Sequence, residues 1–134
     1  MKAYAQSKIA NVFFALELDR RLRAMGSRIK SVLAHPGVAV TNLSSSLAPG
    51  LMKSVSTMFL PMIAQSAADG ALSSLYAATA SGVQGGQFFG PEGRRDMKGS
   101  PVQVQPVTRA TDTIIAKRLS EASEKLTGVK LAKR

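Results

Sequence analysis

The sequence predicts an α/β fold that holds part of a parallel sheet. Three observations predict it. A long helical pattern covers residues 2–25 and stops at Gly26. A short apolar strand at residues 29–33 follows a tight turn and ends at Pro36-Gly37. Further helices then alternate with a second short strand. Helix, tight turn and strand in that order make the second half of a βαβ unit. The parallel partner of such a strand belongs upstream.

Composition narrows the class. The 134 residues are 45% hydrophobic and 19% charged, which suits one globular domain rather than a disordered chain. There is no cysteine, so disulfides and thiolate metal sites are excluded, and His35 alone cannot build a histidine cluster. No metal is expected. No apolar run reaches the roughly 18 to 20 residues that span a bilayer, and no signal peptide opens the chain. The expectation is therefore no integral membrane segment and a cytoplasmic location. Asn42-Leu43-Ser44 matches a glycosylation acceptor, but without a secretion signal it reads as chance.

The net charge is +10. That can mean a plainly basic surface, or a basic part of a longer protein whose acidic counterweight lies elsewhere. It can also mean a phosphate-bearing partner, either NADP or nucleic acid. Aromatic residues make up only 5% and are not interleaved with the basic ones. A base-stacking platform, and with it nucleic-acid binding, is not expected.

The first helix opens with Tyr4-Ala5-Gln6-Ser7-Lys8. Four residues is about one turn, so Tyr4 and Lys8 share a face. A free tyrosine, with a pKa of about 10, exchanges protons poorly near neutrality. A nearby ammonium favours the phenolate, by roughly 4 kcal/mol at about 4 Å and an effective dielectric of about 20. The pair could then trade a proton with an alcohol or carbonyl oxygen. The spacing alone is equally what packing and solvation produce. Along the same helix Ile9, Val12, Phe13, Leu16, Leu18 and Leu22 read as the apolar face, with Glu17, Asp19, Arg20, Arg21 and Arg23 mostly opposite. Gly26 is placed to cap it.

After the strand at 29–33, Ala34, His35, Pro36, Gly37 and Thr41 sit at its carboxyl end, where open α/β sheets bind ligands. Gly37 permits close backbone approach, and Pro36 stiffens the turn. A plain strand-to-helix turn with Thr41 as a cap is the other reading. His35 reads as a structural turn residue. Residues 42–61 are rich in Ser, Leu and Met. Methionine suits an adaptable apolar pocket, and an ordinary core or interface helix fits as well. Residues 65–80 read as an Ala-rich helix with Ala68, Ala71, Leu72, Leu75 and Ala78 on one face, small enough in part for close packing on a sheet or a partner, and Gly82 ends it. A short strand follows within residues 86–91. This glycine-rich stretch lacks the spacing of a phosphate cradle. Residues 93–106 read as loop, with Arg94, Arg95 and Asp96 exposed. The last amphipathic helix spans 108–126, with Ile114, Ile115, Leu119, Ala122 and Leu126 inward. Residues 130–134 read as a frayed tail.

Tyr4-x-x-Ser7-Lys8, an amphipathic helix, a β-branched run and then His35-Pro36-Gly37-x-x-x-Thr41 resemble, in that order, the C-terminal part of short-chain dehydrogenases/reductases. The wording Tyr-Ala-Gln-Ser-Lys-Ile-Ala-Asn and His-Pro-Gly-Val-Ala-x-Thr-Asn-Leu is similar to the branch with retinol dehydrogenases and protochlorophyllide-reductase-like proteins. The resemblance runs from about Lys2 to about Gly93. It implies the C-terminal portion of a Rossmann-like, doubly wound parallel sheet, with two short strands and about four helices here. It implies NAD or NADP as cofactor and a small carbonyl or alcohol substrate, lipophilic if residues 42–61 form a substrate lid. Tyr4 would carry the proton. Lys8 would assist it and hold the nicotinamide ribose. The loop at Pro36 and Gly37 would meet the nicotinamide, and Thr41 would bond its carboxamide or a phosphate. Asn11, one turn further along, is the next candidate to support them.

The same resemblance implies that a Gly-rich turn, a ribose-reading residue, an Asn-Ala-Gly stretch and a catalytic serine lie upstream of Tyr4. Only three residues precede it. The N-terminal cofactor-binding half is therefore expected to be missing, with Met1 an internal methionine or a truncation point. Alternatives are an inactive fragment serving as an interaction or dimerisation module, as the parent would form homo-oligomers, and a basic polyanion-binding protein. The isolated chain is expected to be helical and to bind neither cofactor. It is also expected to self-associate or to melt without cooperativity.

Overall fold

The computed structural model describes residues 2–37, 65–93 and 96–131. The stretch 42–61 read as a lid, Arg94 and Arg95 read as exposed, and the end of the tail lie outside them. The described residues form α1 (Lys2–Ala24), β1 (Leu33–Ala34), α2 (Ala67–Thr79), β2 (Phe88–Pro91), β3 (Pro101–Val104), a 3-10 turn (Thr108–Thr111) and α3 (Thr113–Thr127). The strands make one three-stranded sheet in the order β1-β2-β3. The architecture is thus α/β with a mixed sheet. The chain divides into two compact units.

The first unit combines residues 1–33, 83–87 and 105–134. No Gly or Pro interrupts α1 along its 23 residues. Gly26 ends it at φ +65, its N–H donating to the Arg23 carbonyl at 3.0 Å while Ser27 N–H donates to Leu22 at 3.0 Å. This pair of bonds satisfies carbonyls that the last turn leaves open. Arg21 and Arg23 in that turn complement the helix dipole. Phe13, Ala15 and Leu22 of α1 are buried, as are Ala110 of the 3-10 turn and Ala116 of α3.

The polar face of α1 departs from expectation. Glu17 and Asp19 are buried, at 2% and 1% exposure, whereas Phe14 is half exposed. A buried carboxylate needs partners, and Glu17 has them. Arg20 donates to it through Nε at 2.7 Å and Nη2 at 2.8 Å, and Arg21 through Nε at 2.7 Å. Arg21 also donates through Nη1 to Glu124 of α3 at 2.6 Å. Asp19 pairs with Arg23 Nη2 at 2.6 Å, although neither of its oxygens has a donor aligned on it as a hydrogen bond. It is packed against Gly85 and Gly86, and a Cβ at Gly85 would overlap its carboxylate.

The strand expected at 29–33 shrinks to Leu33 and Ala34. Ile29 is 68% exposed. Upstream of Leu33 the segment is tied by a backbone bond from Gly86 N–H to the Ser31 carbonyl at 2.8 Å, and Leu33 N–H then donates to Gln87 at 2.9 Å. The final helix is shorter than read. Asp112 is its N-cap, accepting from Ile114 and Ile115 N–H at 2.9 and 3.1 Å. That cap leaves residues 108–111 as a separate 3-10 turn. Ala116 is the buried residue of α3, while Ile114 and Leu126 are 71% and 86% exposed. Of the expected inner face, Ile114, Ile115, Ala122 and Leu126 are therefore outward, and Leu119 is half-buried. A small residue permits the close crossing with α1 that larger ones would prevent.

The second unit combines residues 34–82 and 88–104. His35 N–H donates to the Phe89 carbonyl at 2.9 Å. With Leu33 bonded to Gln87, the bonds advance in the same direction on both strands, so β1 and β2 run parallel. β2 and β3 are antiparallel, pairing Phe88 with Val104 and Pro91 with Pro101. β3 lies where a loop was read. Pro101 is tolerated because it is the first residue of the strand. Ser66 caps α2 by accepting from Asp69 N–H at 3.0 Å. The face of α2 is also a correction. Gly70, Ser73 and Ala77 are buried, and Leu72 and Leu75 are 41% and 56% exposed. Phe89 of β2 is 3% exposed, with Tyr76 against it at 5.3 Å between ring centroids. Small residues on the inner face leave room for that ring.

Candidate functional site

Tyr4 and Lys8 stand in the first turns of α1, in the first unit. The helix brings them together as the spacing predicts, with Lys8 Nζ 5.3 Å from the centroid of the Tyr4 ring. That is within range of a cation–π contact. Both side chains are exposed, Tyr4 at 61%. Ser7 donates to the Tyr4 carbonyl at 2.8 Å, turning its hydroxyl back onto the helix. Asn11, one turn further, is also exposed. Along the same unit, α1 and α3 flank an open groove of about 380 Å³ lined by Phe14, Leu18, Ser123, Thr127 and Val129, among others. Neither Tyr4 nor Lys8 lines it.

His35, Pro36 and Gly37 lie in the second unit, at the carboxyl end of β1. Thr41 lies outside the described residues. Gly37 adopts φ +64, and a Cβ there would meet the Met97 carbonyl and the Pro91 side chain. The turn is thus backbone packed directly on the segment after β2. His35 closes it, its Nδ1 accepting from Gly37 N–H at 3.2 Å while its ring packs edge-on to Phe88 at 5.1 Å. Its Nε2 edge fills the space over Gly90 that a Cβ would occupy. Gln65 holds the other side, donating through Nε2 to the Pro36 carbonyl at 2.7 Å. From its place in the sequence, Gln65 reads only as the start of a helix. Its partners lie 29 and 34 residues away, so no local pattern pointed to them.

Burial lowers the His35 pKa below its ordinary 6.5, with Asp96 opposing in part. Desolvation disfavours imidazolium, and a neutral ring leaves Nδ1 free to accept. The sign follows from linkage. A folded-state pKa below the unfolded one makes the unfolded chain bind more protons, so the contribution is present above 6.5 and is lost as pH falls through the folded value. Thermal stability should therefore drop as pH falls below about 6.5, with the imidazole ring-proton signal titrating below its unfolded position. A His35→Gln variant should lose this step. An unchanged step in that variant would assign it to another group.

No protein-family model matches the chain. Known proteins do. The chain is 31% identical over 129 residues to retinol dehydrogenase 14 of Homo sapiens, covering 94% of this chain and 35% of that protein. It is 32% identical over 128 residues to polyprenol dehydrogenase of Mus musculus, with 94% and 35% covered. A crystal structure of an uncharacterized protein from Mycobacterium Paratuberculosis matches at a TM-score of 0.70 and 35% identity. That match covers 97% of this chain and 40% of the other. The chain matches a C-terminal part of the short-chain dehydrogenase/reductase fold. Relatives named as short-chain dehydrogenases/reductases include one of Macrophomina phaseolina, 34% identical over 97 residues. The chain spans about a third of the length of the first two of these dehydrogenases.

Among the described residues, no group of three or more His, Asp or Glu could hold a metal, and no helix is long and apolar enough to cross a membrane.

Proposed function

We propose that this chain is the proton-transferring part of an NAD(P)-dependent oxidoreductase that interconverts an alcohol and a carbonyl, on a lipophilic small molecule. The observation that carries the reading is the Tyr4 and Lys8 pair on one face of α1, in a chain similar to retinol and polyprenol dehydrogenases. The exposed Lys8 ammonium, with three donors, suits vicinal ribose hydroxyls. The turn at Pro36 and Gly37 stands at the carboxyl end of β1, where open α/β sheets bind ligands. NAD or NADP would supply the hydride acceptor or donor. Tyr4 Oη gives the proton to the carbonyl oxygen in reduction and takes it back in oxidation, and Lys8 stabilises the phenolate left behind.

A second reading, as an association module, draws on the exposed apolar residues of α2 and α3, such as Leu75, Ile114 and Leu126. Exposed apolar surface favours self-association. The two readings combine in one expectation for the 134-residue chain alone: helical content, self-association, and no measurable binding of NAD or NADP. Sedimentation and calorimetric titration with both cofactors check it. Joined to a nucleotide-binding half, the chain should support nicotinamide-linked oxidation of a retinol or polyprenol-like alcohol. Failure of the joined protein to bind either cofactor would remove the enzyme reading and leave the association module.

A further inference from the structure

We propose that Gln65 is a positioning residue for the turn at Pro36 and Gly37, holding its backbone in the form that meets the nicotinamide. The proposal rests on the reading above that this turn contacts the cofactor. Gln65 is 8% exposed, so its carboxamide must find partners within the protein. Among the described residues it finds two, both backbone groups and both in loops. Its Nε2 donates to the Pro36 carbonyl at 2.7 Å, and its Oε1 accepts from Gly99 N–H at 3.1 Å. A flipped amide would set acceptor against acceptor and donor against donor, so the pair of partners fixes its orientation.

Pro36 has no N–H to give. The Gly37 N–H is taken by His35 Nδ1. The Pro36 carbonyl accepts from Gln65, which ties the turn to another loop. The glutamine does not serve the helix that follows, because Ser66 is the residue that caps α2. Packing alone would be met by an apolar side chain of the same length. What glutamine adds is a donor and an acceptor at opposite sides of one flat group, joining the turn to the loop at Gly99. A nicotinamide contact needs that backbone placed to within fractions of an ångström.

Gln65→Met separates the two roles, since it keeps length and burial and removes both hydrogen bonds. In the 134-residue chain, Gly99 amide exchange should accelerate in Gln65→Met and stay protected in Gln65→Glu, which keeps the acceptor. In an active enzyme carrying this chain, Gln65→Met and Gln65→Glu should both raise the cofactor KM roughly tenfold, with kcat much less affected. Gly37→Val serves as the reference for the turn itself. A raised cofactor KM in Gly37→Val with a parental value in Gln65→Met overturns the role of Gln65 and keeps the turn. Parental values in both overturn the cofactor contact, and this proposal with it.

Discussion

Tyr4→Phe lowers turnover by at least about a hundredfold in an active enzyme that carries this chain. The variant keeps the ring on α1 beside Lys8 and removes only the proton. The side chain is 61% exposed in the chain by itself, so the substitution costs little stability and the loss reads on chemistry. Cofactor affinity should stay near the parental value, because a hydroxyl that acts on the substrate oxygen does not hold the dinucleotide. Lys8→Ala behaves differently, weakening turnover and cofactor binding together. Steady-state kinetics with saturating cofactor, beside direct binding, make the comparison. Near-parental turnover in Tyr4→Phe would rule out Tyr4 as the proton carrier, and unaltered cofactor affinity in Lys8→Ala would rule out the ribose contact.

Glu17→Ala destabilises α1 and its junction with α3. Hydrogen bonds from Arg20, opposed by burial and assisted by Arg21, hold the Glu17 pKa down from 4.5 to about 2. A shift of that size corresponds to about 3 kcal/mol of differential stabilisation of the carboxylate. Arg20 is half exposed and returns to water in the variant, and Arg21 keeps Glu124. The expected loss at neutral pH is therefore about 2 to 3 kcal/mol. Because the folded pKa lies below the unfolded one, the contribution is present above 4.5 and is lost as pH falls through about 2. The gap between parent and variant, read as amide-exchange protection along α1 or by denaturant unfolding, should close at the acid end. A gap that survives there would mean the carboxylate is not its source.

The helix bearing Tyr4 and Lys8 was legible because its signals are local: an uninterrupted helical pattern, a glycine at its end, and two residues one turn apart. The burial of Glu17 and Asp19 was not. Charged residues were assigned outward by type, yet Arg20 and Arg21 neutralise Glu17 from the next turn, Arg23 does so for Asp19, and Glu124 reaches the same cluster from 103 residues away. The inner faces of α2 and α3 were misassigned for a related reason. Apolar residues at helical spacing read as the inner faces, Ala68, Ala71, Leu72, Leu75 and Ala78 in one helix and Ile114 to Leu126 in the other, but Ser73, Ala77 and Ala116 are the buried ones, where neighbours approach closely. The residues with the strongest hydropathy were left outside. β3 carries Val102 and Val104 around Gln103, an alternation too short to outweigh the flanking prolines.

Gly90 and His35 share one volume. Gly90 is not in the left-handed region, so its backbone would accept any residue, and what excludes a side chain there is the imidazole. The two positions therefore exchange bulk: a methyl or larger group at 90 is compatible only with a smaller group at 35. A smaller group at 35 removes the acceptor that closes the turn at Gly37. A glycine in the middle strand thus leaves the room that the imidazole at the end of the neighbouring strand occupies, and the two positions act as a single steric unit.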